Sequence, residues 1–375
     1  MTALRITGAT LADGTLIELA MSDGVIVDEV GAGEVLDAAG LTVASGFVDL
    51  QVNGGFGLDV TSDPSSMWEI GRRLPRFGVT AFLPTVISSS AGAVRAALDA
   101  VASGPPAGWR GAHPLGVHAE GPMLSPAKRG THPIEALRLP GPAVLAEWGP
   151  LGDLRMVTLA PELAGAEQMV AALVDAGVVV ALGHSDCDYA TALLAMDWGA
   201  THGTHLFNAM SGVDHRRPGL ATAILARHNI TTGLIVDGEH VHPGAVEMAW
   251  AAKGQDGIVL VTDCMAAMGV GDGGYDLGGV EVVVRGRRAT NHGGALAGSV
   301  LTMDQAVRNL VAYTGCPLSQ ALSAASTTPA GVIGDVERGG LEPGQRGDVV
   351  LLDGSMRVRA TVVGGVVVHD ERDHA

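Results

Sequence analysis

The sequence predicts an α/β protein: a (β/α)8 TIM-like barrel with a small discontinuous β-sandwich domain formed by the two chain ends. Three observations predict this fold. Eight short apolar runs alternate with helical segments in the middle of the chain, which is typical of parallel strands joined by crossover helices. Both ends instead carry β-type runs without helical periodicity. At 375 residues the chain exceeds the ~250 typical of such a barrel, which leaves room for a second domain.

The chain ends supply the small domain. Asp13-Gly14 and Asp23-Gly24 are hairpin signals between short β-type runs. Near the C-terminus, a Gly364-Gly365 turn likewise separates short β-type runs. We therefore expect residues 1–44 and 336–375 to form the two parts of the small β-domain and residues 45–335 to form the barrel. The runs span 16–21, 24–29, 348–352, 357–363 and 366–369.

The predicted barrel has eight strands, the number that closes such a barrel. Asp63 followed by Pro64 has the pattern of a helix start, and two helical segments stop at Gly177 and Gly254. Segment 275–289 is expected to be an inserted hairpin or loop, and 303–313 the last strong helix. The strand runs are 46–50, 79–83, 115–118, 156–159, 178–182, 202–206, 230–236 and 258–261.

Composition narrows the class of protein. A formal net charge of −17 argues against nucleic acid as a partner, because proteins that bind it usually carry a basic surface. No uncharged apolar run approaches the ~18 residues of a membrane span, so no membrane partner is expected. The N-terminus lacks the basic-then-apolar order of a secretory signal, which predicts a cytoplasmic location. Three scattered cysteines do not suit a disulfide framework, and reduced thiols are expected.

Polar side chains follow every predicted strand. In such barrels the carboxyl ends of the strands meet at one face and carry the active site. One or two polar strand ends would only reflect contact with solvent, whereas polar residues after all eight strands point to a site. These residues are Gln51 and Asn53, Thr85, Glu120, Glu162, His184, His205, Asp237 and Asp263.

Glu120, His184 and His205 offer one carboxylate oxygen and two imidazole nitrogens. This is the ligand set of an open catalytic site for Zn²⁺ or a similar divalent ion, which activates water at neutral pH. A structural glutamate and a buried, hydrogen-bonded histidine are the alternatives. Cys187 and Cys264 lie close to candidate residues in the sequence, but we expect them to be small buried apolar residues rather than ligands.

Asp263 is the candidate general base, able to take a proton from water and return it to a leaving amine. A helix cap or a fourth metal ligand is the alternative for this carboxylate. His132 could polarise a substrate carbonyl, or it could be an ordinary loop histidine. Arg216, together with His240, would bind an anionic group, since arginine matches phosphate oxygens with a forked pair of donors. Arg217 is the competing candidate.

The chain resembles the amidohydrolase superfamily and, within it, the N-acetylglucosamine-6-phosphate deacetylase family. The resemblance covers nearly the whole chain. The combination of THLFNAM, HxEGP and LVTD is specific for this family, whereas the GHS motif alone would be weak evidence for it. The segments that carry it are GFVDLQVNGG (46–55), HAEGPMLSPAKRGTHP (118–133), LGHSD (182–186), THLFNAM (204–210), RRPG (216–219), VDGEHV (236–241), LVTD (260–263), LAGSVLTMDQAVRNLV (296–311) and GLEPGQRGDVVLLD (340–353).

The resemblance implies roles for individual residues. Glu120, His184 and His205 fall where the family binds its metal, and Asp263 falls where it keeps the catalytic acid/base. His132 matches the histidine that meets the acetyl carbonyl. The expected substrate-binding residues are Thr131 at the lip over the sugar, Asn208, Ala209, Arg216 and His240 around the sugar phosphate, and Leu296, Ala297 and Gly298 along the sugar.

The resemblance also implies a reaction: hydrolysis of the N-acetyl group of N-acetyl-D-glucosamine 6-phosphate to D-glucosamine 6-phosphate and acetate, in amino-sugar catabolism. Another N-acetylhexosamine 6-phosphate, an N-acyl amino acid, or a non-catalytic barrel scaffold are the alternatives. The implied cofactor is one divalent ion per subunit, with Zn²⁺ expected and Fe²⁺, Mn²⁺ or Co²⁺ as alternatives. The implied assembly is a homodimer with the phosphate site shared across the interface.

The chain departs from the family pattern at a few positions. Many amidohydrolases carry HxH after the first strand and so hold a second metal, whereas this chain has Gln51-Val52-Asn53. Amides bind such ions poorly, so we expect one tightly bound ion. Ser45 stands where proline is frequent and Ala119 where leucine is common, both outside the chemistry. Thr131 replaces a common alanine and can alter the lip over the sugar.

Overall fold

The computed structural model describes residues 3–31 and 33–372. The middle of the chain forms a parallel sheet that curls into a barrel, and the two ends form a separate sheet with its own core. Positions 1–2, 32 and 373–375 belong to the predicted terminal segments 1–44 and 336–375, and they lie outside the described residues. The predicted fold class is confirmed.

The two chain ends meet in the middle of one eight-stranded sheet. Strand Val349–Leu352 runs antiparallel to Thr42–Ser45, with Val350 opposite Ala44, and this pairing joins the N-terminal and C-terminal parts. Asp23 and Gly24 both have positive φ at the tight turn that the sequence predicts there. The strand order is Val366–Asp370, Val358–Val363, Val349–Leu352, Thr42–Ser45, Ala3–Thr10, Leu16–Ser22 and Val25–Val27, with Glu34–Asp37 parallel to Ala3–Thr10.

Eight parallel strands line the barrel, each paired with the next in the chain. The barrel closes between the first strand and the segment that follows the last strand. There the Asp263 N–H donates to the Gln51 carbonyl at 3.0 Å, and Val52 and Cys264 form a parallel β-bridge. The sixth strand is shorter than predicted. The strands are Phe47–Val52, Val79–Ile87, Val117–Glu120, Leu154–Leu159, Val179–Leu182, His202–Gly203, Thr231–Leu234 and Ile258–Leu260, and His113–Pro114 also pairs with the second.

Helices surround the barrel. Asp63 is the N-cap of a helix whose first residue is Pro64, as predicted, although the first turn is the 3₁₀ helix Pro64–Ser66. Gly254, with a φ of 61°, interrupts the helix Pro243–Gly257 at the predicted stop. The other α-helices are Met67–Arg73, Ala91–Ala102, Pro142–Trp148, Ala166–Asp175, Tyr189–Asp197, Leu220–Ala226, Met303–Thr314, Leu318–Ala325 and Thr327–Val332, and further 3₁₀ helices are Leu74–Phe77, Pro126–Lys128 and Ile134–Ala136.

Within residues 3–31 and 33–372, no helix combines the length and the apolar character needed to cross a membrane.

The predicted insertion at 275–289 is a small antiparallel sheet of three strands, Gly273–Leu277, Val280–Arg285 and Arg288–Asn291. It has an apolar cluster of its own, which includes Leu277 and Val282. Leu277 also lines the cavity at the mouth of the barrel, so the insertion forms part of the cavity wall. A short hairpin pairs Gly54–Gly55 with Leu58–Asp59.

Asp49, on the first barrel strand, is a fully buried carboxylate at the closure of the barrel. Its Oδ1 accepts the N–H groups of Gln51 and Thr262 at 3.2 Å each, and its Oδ2 accepts the Thr262 hydroxyl at 2.5 Å. Burial raises the pKa of Asp49 to about 7, because the charged form loses its hydration, while these hydrogen bonds act in the opposite direction. Asp49 therefore ties the first strand to the segment that carries Asp263.

We expect Asp49→Asn to weaken the pH dependence of stability. An acid whose pKa is raised by folding binds its proton more tightly in the native state. Its contribution to the free energy of unfolding therefore falls as pH rises from about 4 to about 7. Asparagine cannot ionise, and its oxygen can still accept both N–H groups. Denaturant unfolding at about pH 5 and about pH 8 should show a smaller loss of stability in the variant. Equal losses in both proteins would contradict this account.

Candidate active site

A cavity of about 340 Å³ opens at the carboxyl ends of the barrel strands. Its volume is in the range of sites for small molecules. The wall combines charged and polar groups with apolar side chains, which suits a ligand that has both polar and apolar parts. The lining residues are Asn53, Ile87, Glu120, Ala127, Lys128, Gly130, Thr131, His132, His184, His205, Asn208, Ala209, His240, Asp263, Leu277, Ala295, Leu296 and Gly298.

Three of the lining residues converge on one point. The Oε1 atom of Glu120 lies 3.2 Å from Nε2 of His184 and 2.9 Å from Nε2 of His205, and the two nitrogens are 3.1 Å apart. Within the described residues, these three form the one group of histidine, cysteine, aspartate and glutamate side chains with the spacing of metal ligands. The structure thus brings together the three residues that the sequence suggested as ligands.

The three groups of this cluster shift one another's pKa values. Burial works to raise the pKa of Glu120, but its contacts with His132, His184 and His205 outweigh burial and hold the pKa well below its ordinary value. Burial lowers the pKa of His184 to about 4. Burial acts to lower the pKa of His205, but its hydrogen bond to Glu120 and the charges of Glu120 and Asp263 outweigh burial and raise it. An ionised carboxylate therefore faces a neutral His184 imidazole, and a divalent ion would displace the proton of His205 when it binds.

The orientation of His184 supports the same conclusion. Its Nδ1 lies 2.9 Å from the carbonyl oxygen of Lys128, which can only accept, so Nδ1 carries the proton and Nε2 keeps its lone pair for a ligand. Ligand atoms held ~2 Å from a tetrahedral ion stand about 3.3 Å apart, close to the spacing found here. The donor set of Glu120, His184 and His205 therefore fits one ion such as Zn²⁺.

His132 is held by the end of the second strand. Its Nδ1 accepts the backbone N–H of Ser88 at 3.1 Å and lies 2.9 Å from the Ser88 hydroxyl. Because a backbone N–H can only donate, the neutral ring carries its proton on Nε2, which lies 3.7 Å from Oε2 of Glu120. His132 thus presents an N–H donor beside the metal cluster. Gly121 permits this arrangement, since a Cβ there would lie 2.3 Å from Oγ of Ser88.

Asp263 faces the cluster from the eighth strand. Its carboxylate oxygen Oδ1 accepts an N–H of the Asn53 amide at 2.7 Å. Burial raises the pKa of Asp263 to about 6, and the charge of Glu120 adds to this effect, while His205 and His240 oppose it. A carboxyl group tuned in this direction can exchange a proton near neutral pH.

Several residues around the cavity have an unusual backbone. His184, His205 and Asp263 have φ values of 48°, 29° and 50°, in the left-handed region that non-glycine residues rarely adopt. Phe207 and Ala209 also have positive φ. Such residues persist where the surroundings determine the conformation, and they concentrate at functional sites.

His240 and Asn208 also line the cavity. The Nδ1 of His240 lies 2.7 Å from Oδ2 of Asp237, and Oδ1 of Asp237 accepts the backbone N–H groups of Glu239 and His240 at 2.8 Å each. Asp237 therefore fixes the His240 ring through Nδ1, and Nε2 is the ring nitrogen left to contact a ligand. The side-chain amide of Asn208 donates to the carbonyl oxygen of His205 at 3.2 Å, close to the metal cluster.

Thr131 joins two walls of the cavity. Its hydroxyl donates to the carbonyl oxygen of Leu296 at 3.0 Å, which links the loop of His132 to the segment 296–298. Leu296 and Gly298 line the cavity, whereas Ala297 is buried behind them and donates its N–H to the carbonyl of Ala289. An alanine at position 131 could not make this link.

Arg216 lies outside the cavity lining. It is exposed and lines a separate surface depression with Arg217, and the backbone N–H groups of both arginines bond to Asp214. Lys128 is the cationic residue that does line the cavity, and its Nζ lies 3.4 Å from Asp186. Cys187 and Cys264 are buried free thiols outside the metal cluster.

Sequence reasoning missed two contributors to the site, Ser88 and Lys128, and it named Asn53 and Asp237 only as polar residues at strand ends. Ser88 and Asp237 orient histidines, Asn53 contacts Asp263, and Lys128 lines the cavity. Asn53 and Asp237 follow predicted strands, so their position gave a signal although their partners did not. Ser88 acts largely through its backbone N–H, for which side-chain identity gives no signal.

Comparisons with known proteins agree with this geometry. Residues 42–368 match the amidohydrolase family. The N-acetylglucosamine-6-phosphate deacetylase of Bos taurus is 42% identical over 354 residues, covering 90% of this chain and 86% of the relative. The N-acetylgalactosamine-6-phosphate deacetylase of Shewanella sp. (strain ANA-3) is 39% identical over 335 residues, covering 88% of this chain and 83% of the relative.

A solved structure is similar over almost the whole length. A mutant N-acetyl-D-glucosamine-6-phosphate deacetylase from Mycobacterium smegmatis, in complex with N-acetyl-D-glucosamine-6-phosphate, superposes with a TM-score of 0.86 at 34% identity. The match covers 98% of this chain and 99% of that one. The chain therefore belongs to the amidohydrolase family, in the group formed by the N-acetylglucosamine-6-phosphate deacetylases and their relatives.

Proposed function

We propose that this protein hydrolyses the acetamide of N-acetyl-D-glucosamine 6-phosphate to D-glucosamine 6-phosphate and acetate, in amino-sugar catabolism. The observation that carries the proposal is the convergence of Glu120, His184 and His205 on one point inside the cavity that Asp263 and His132 also line. This arrangement supplies a cation site, a proton acceptor and an N–H donor for one amide group.

Glu120, His184 and His205 would hold a single divalent ion, Zn²⁺ in our proposal. When bound, such an ion polarises a carbonyl group and makes water more acidic. A single ion is supported by Gln51, which occupies one position of the HxH pattern. Its amide nitrogen faces Oε1 of Glu120 at 3.1 Å, so it presents an N–H donor to the cluster rather than a ligand oxygen.

The protein's own side chains then move the proton. The Nε2–H of His132 donates to the acetyl carbonyl oxygen, where negative charge develops. The free oxygen of Asp263 accepts a proton from the water that adds to the acetyl carbon. Asp263 returns this proton to the sugar nitrogen as the C–N bond breaks, which yields acetate and the free amine.

Steady-state kinetics on purified protein test the proposal directly. Acetate release should be fast with N-acetylglucosamine 6-phosphate and much slower with the unphosphorylated sugar, and metal content is measured on the same sample. The galactosamine epimer belongs in the comparison, because the similar Shewanella protein is an N-acetylgalactosamine-6-phosphate deacetylase. Absence of acetate release from all of these compounds by metal-loaded protein would reject the function.

We also propose a cytoplasmic homodimer in which the partner subunit helps to bind the phosphate. The position of Arg216 supports this proposal, since it lies outside the cavity lining of its own chain. Lys128 and His240, which do line the cavity, would meet the phosphate from within the chain. Arginine is suited to complete such a site, because its fork binds two phosphate oxygens at once.

We expect Arg216→Ala to raise KM for the phosphorylated sugar about tenfold while kcat changes little, because a lost phosphate contact is worth ~1.5 kcal/mol or more. The unphosphorylated sugar should be nearly unaffected. Arg217→Ala is the matched control, since the neighbouring arginine shares the same loop and the same contact with Asp214. Equal losses on both sugars would show that Arg216 has a structural role.

Thr131→Ala should raise KM about fivefold with little change in kcat, since removal of one hydrogen bond of about 1 kcal/mol frees the segment 296–298 from the loop of His132. Thr131→Ser keeps the hydroxyl and should behave like the original protein. Kinetics of the two variants on the phosphorylated sugar provide the comparison. A Thr131→Ala variant with unchanged KM would mean that this link does not shape the sugar site.

A further inference from the structure

Asn53 contacts the carboxylate proposed as the general base. It directly follows the carboxyl end of the first barrel strand, and its side chain is buried, with the residue 1% exposed. Its Nδ2 donates to Oδ1 of Asp263 at 2.7 Å. The backbones are already joined there, since the Asn53 N–H donates to the carbonyl of Cys264 at 2.9 Å. The side-chain contact is therefore an addition to a register that the main chain already sets.

The Asp263 carboxylate accepts the Asn53 hydrogen bond at one of its two oxygens. Among residues 3–31 and 33–372, Asn53 provides the hydrogen bond recorded for that carboxylate, and it engages Oδ1 alone. The main chain of Asp263 is held separately, by Gln51 and Ser299. A carboxylate fixed at one oxygen can still present the other, Oδ2, to the cavity that Asp263 lines.

The carbonyl end of the same amide makes no hydrogen bond to the described residues. Oδ1 of Asn53 is buried and has no hydrogen-bond partner among the described residues. An unpaired buried carbonyl costs about 1–3 kcal/mol, so a residue chosen for stability alone would be apolar here. A reversed amide would place two oxygens against each other, so ionised Asp263 determines which end of the amide faces it.

We propose that Asn53 is a positioning residue for proton transfer: it occupies Oδ1 of Asp263 so that Oδ2 is the oxygen that exchanges the proton with water and the leaving amine. The inference rests on the proposed function. Gln51 has a parallel role two positions earlier on the same face of the strand, where its amide donates to Oε1 of Glu120. The two amides thus orient the two carboxylates of the site.

The charges around Asp263 give the amide a second effect. Burial and the charge of Glu120 raise the pKa of Asp263, whereas His205, His240 and the Asn53 hydrogen bond lower it. Loss of the amide removes a stabilising contact to the ionised carboxylate. The acidic limb of the kcat–pH profile should therefore move to higher pH in a variant without the amide.

Asn53→Leu tests the proposal, because leucine has a similar volume and no hydrogen-bonding group. We expect kcat to fall about 10- to 100-fold, with KM and bound metal unchanged and thermal stability not reduced. Gln51→Leu is the matched comparison: it should weaken metal retention roughly tenfold, since its amide contacts a ligand. Asn53→Leu with kcat within about twofold of the original, or with losses of metal and stability that match its loss of rate, would overturn the proposal.

Asn53→Asp provides a second test if the leucine variant does not fold. It keeps the shape of the side chain but places a carboxyl group against Asp263, so the acidic limb should move up by about one pH unit or more. An unmoved limb would count against the proposal. Acetate release by the unaltered protein is measured first: its absence would reject the function itself, whereas an active protein with an indifferent position 53 would reject only the role of Asn53.

Discussion

Asp263→Asn should reduce kcat by roughly 10³-fold while the protein keeps its fold and its metal. Asparagine can neither take a proton from water nor return it to the amine. Its amide oxygen can still accept the Asn53 N–H, so the side chain is expected to remain in place. Kinetics with the phosphorylated sugar and elemental analysis of the same sample measure the effect.

Asp49→Asn is the matched control for this variant, because Asp49 is also a buried carboxylate at the closure of the barrel but lies outside the cavity lining. It should keep kcat within about threefold of the original protein while changing the pH dependence of stability. Near-normal turnover in Asp263→Asn would remove Asp263 from the proton-transfer role. An equal loss in both variants would indicate a general structural effect.

The barrel was predictable because its strands are buried on both faces. Such strands are continuous apolar runs bounded by turn residues, so a run such as 79–83 marks the observed strand Val79–Ile87. The small sheet was predictable from a different signal, namely short β runs around Asp-Gly and Gly-Gly turns. Both signals are local, which is why the fold could be inferred without tertiary information.

The sixth strand shows where local signals fail. The run 202–206 predicts a strand that reaches His205, but the strand ends at Gly203 and His205 has a positive φ. Leu206 still donates its N–H to the carbonyl of Gly233, so the chain follows the barrel while its backbone turns. Histidine adopts the left-handed conformation only occasionally, so the sequence does not predict it at His205, where tertiary contacts impose it.

The candidate site was predictable in its residue types and less so in its contacts. Strand-end position identified Glu120, His184 and Asp263, since the topology brings those ends together. It could not show that Ser88 sets the protonated nitrogen of His132, because that contact uses a backbone N–H. Nor could it show that Arg216 lies apart from the cavity, since the course of a loop between two elements has no periodic signal.

Glu120→Gln should abolish tight metal binding and reduce kcat at least about 10³-fold. The variant replaces an anionic ligand by a neutral amide, which leaves a divalent ion with two imidazole ligands and no anionic ligand. After extensive dialysis, elemental analysis should find one ion per subunit in the original protein and less than about one tenth in the variant. Two ions in the original protein would contradict the single-metal proposal.

Thermal unfolding with and without a chelator separates this explanation from simple misfolding. A ligand that binds the native state stabilises it in proportion to the logarithm of its concentration over Kd, about 4 kcal/mol at a thousandfold excess. The Tm of the original protein should therefore fall when the chelator is added, whereas the Tm of Glu120→Gln should not respond. Glu162→Gln is the control, because that carboxylate follows the neighbouring strand Leu154–Leu159 but lies outside the metal cluster, so its Tm should still respond. If Glu120→Gln retains a full equivalent of metal, Glu120 is not a ligand, and the two histidines must bind the ion with another group.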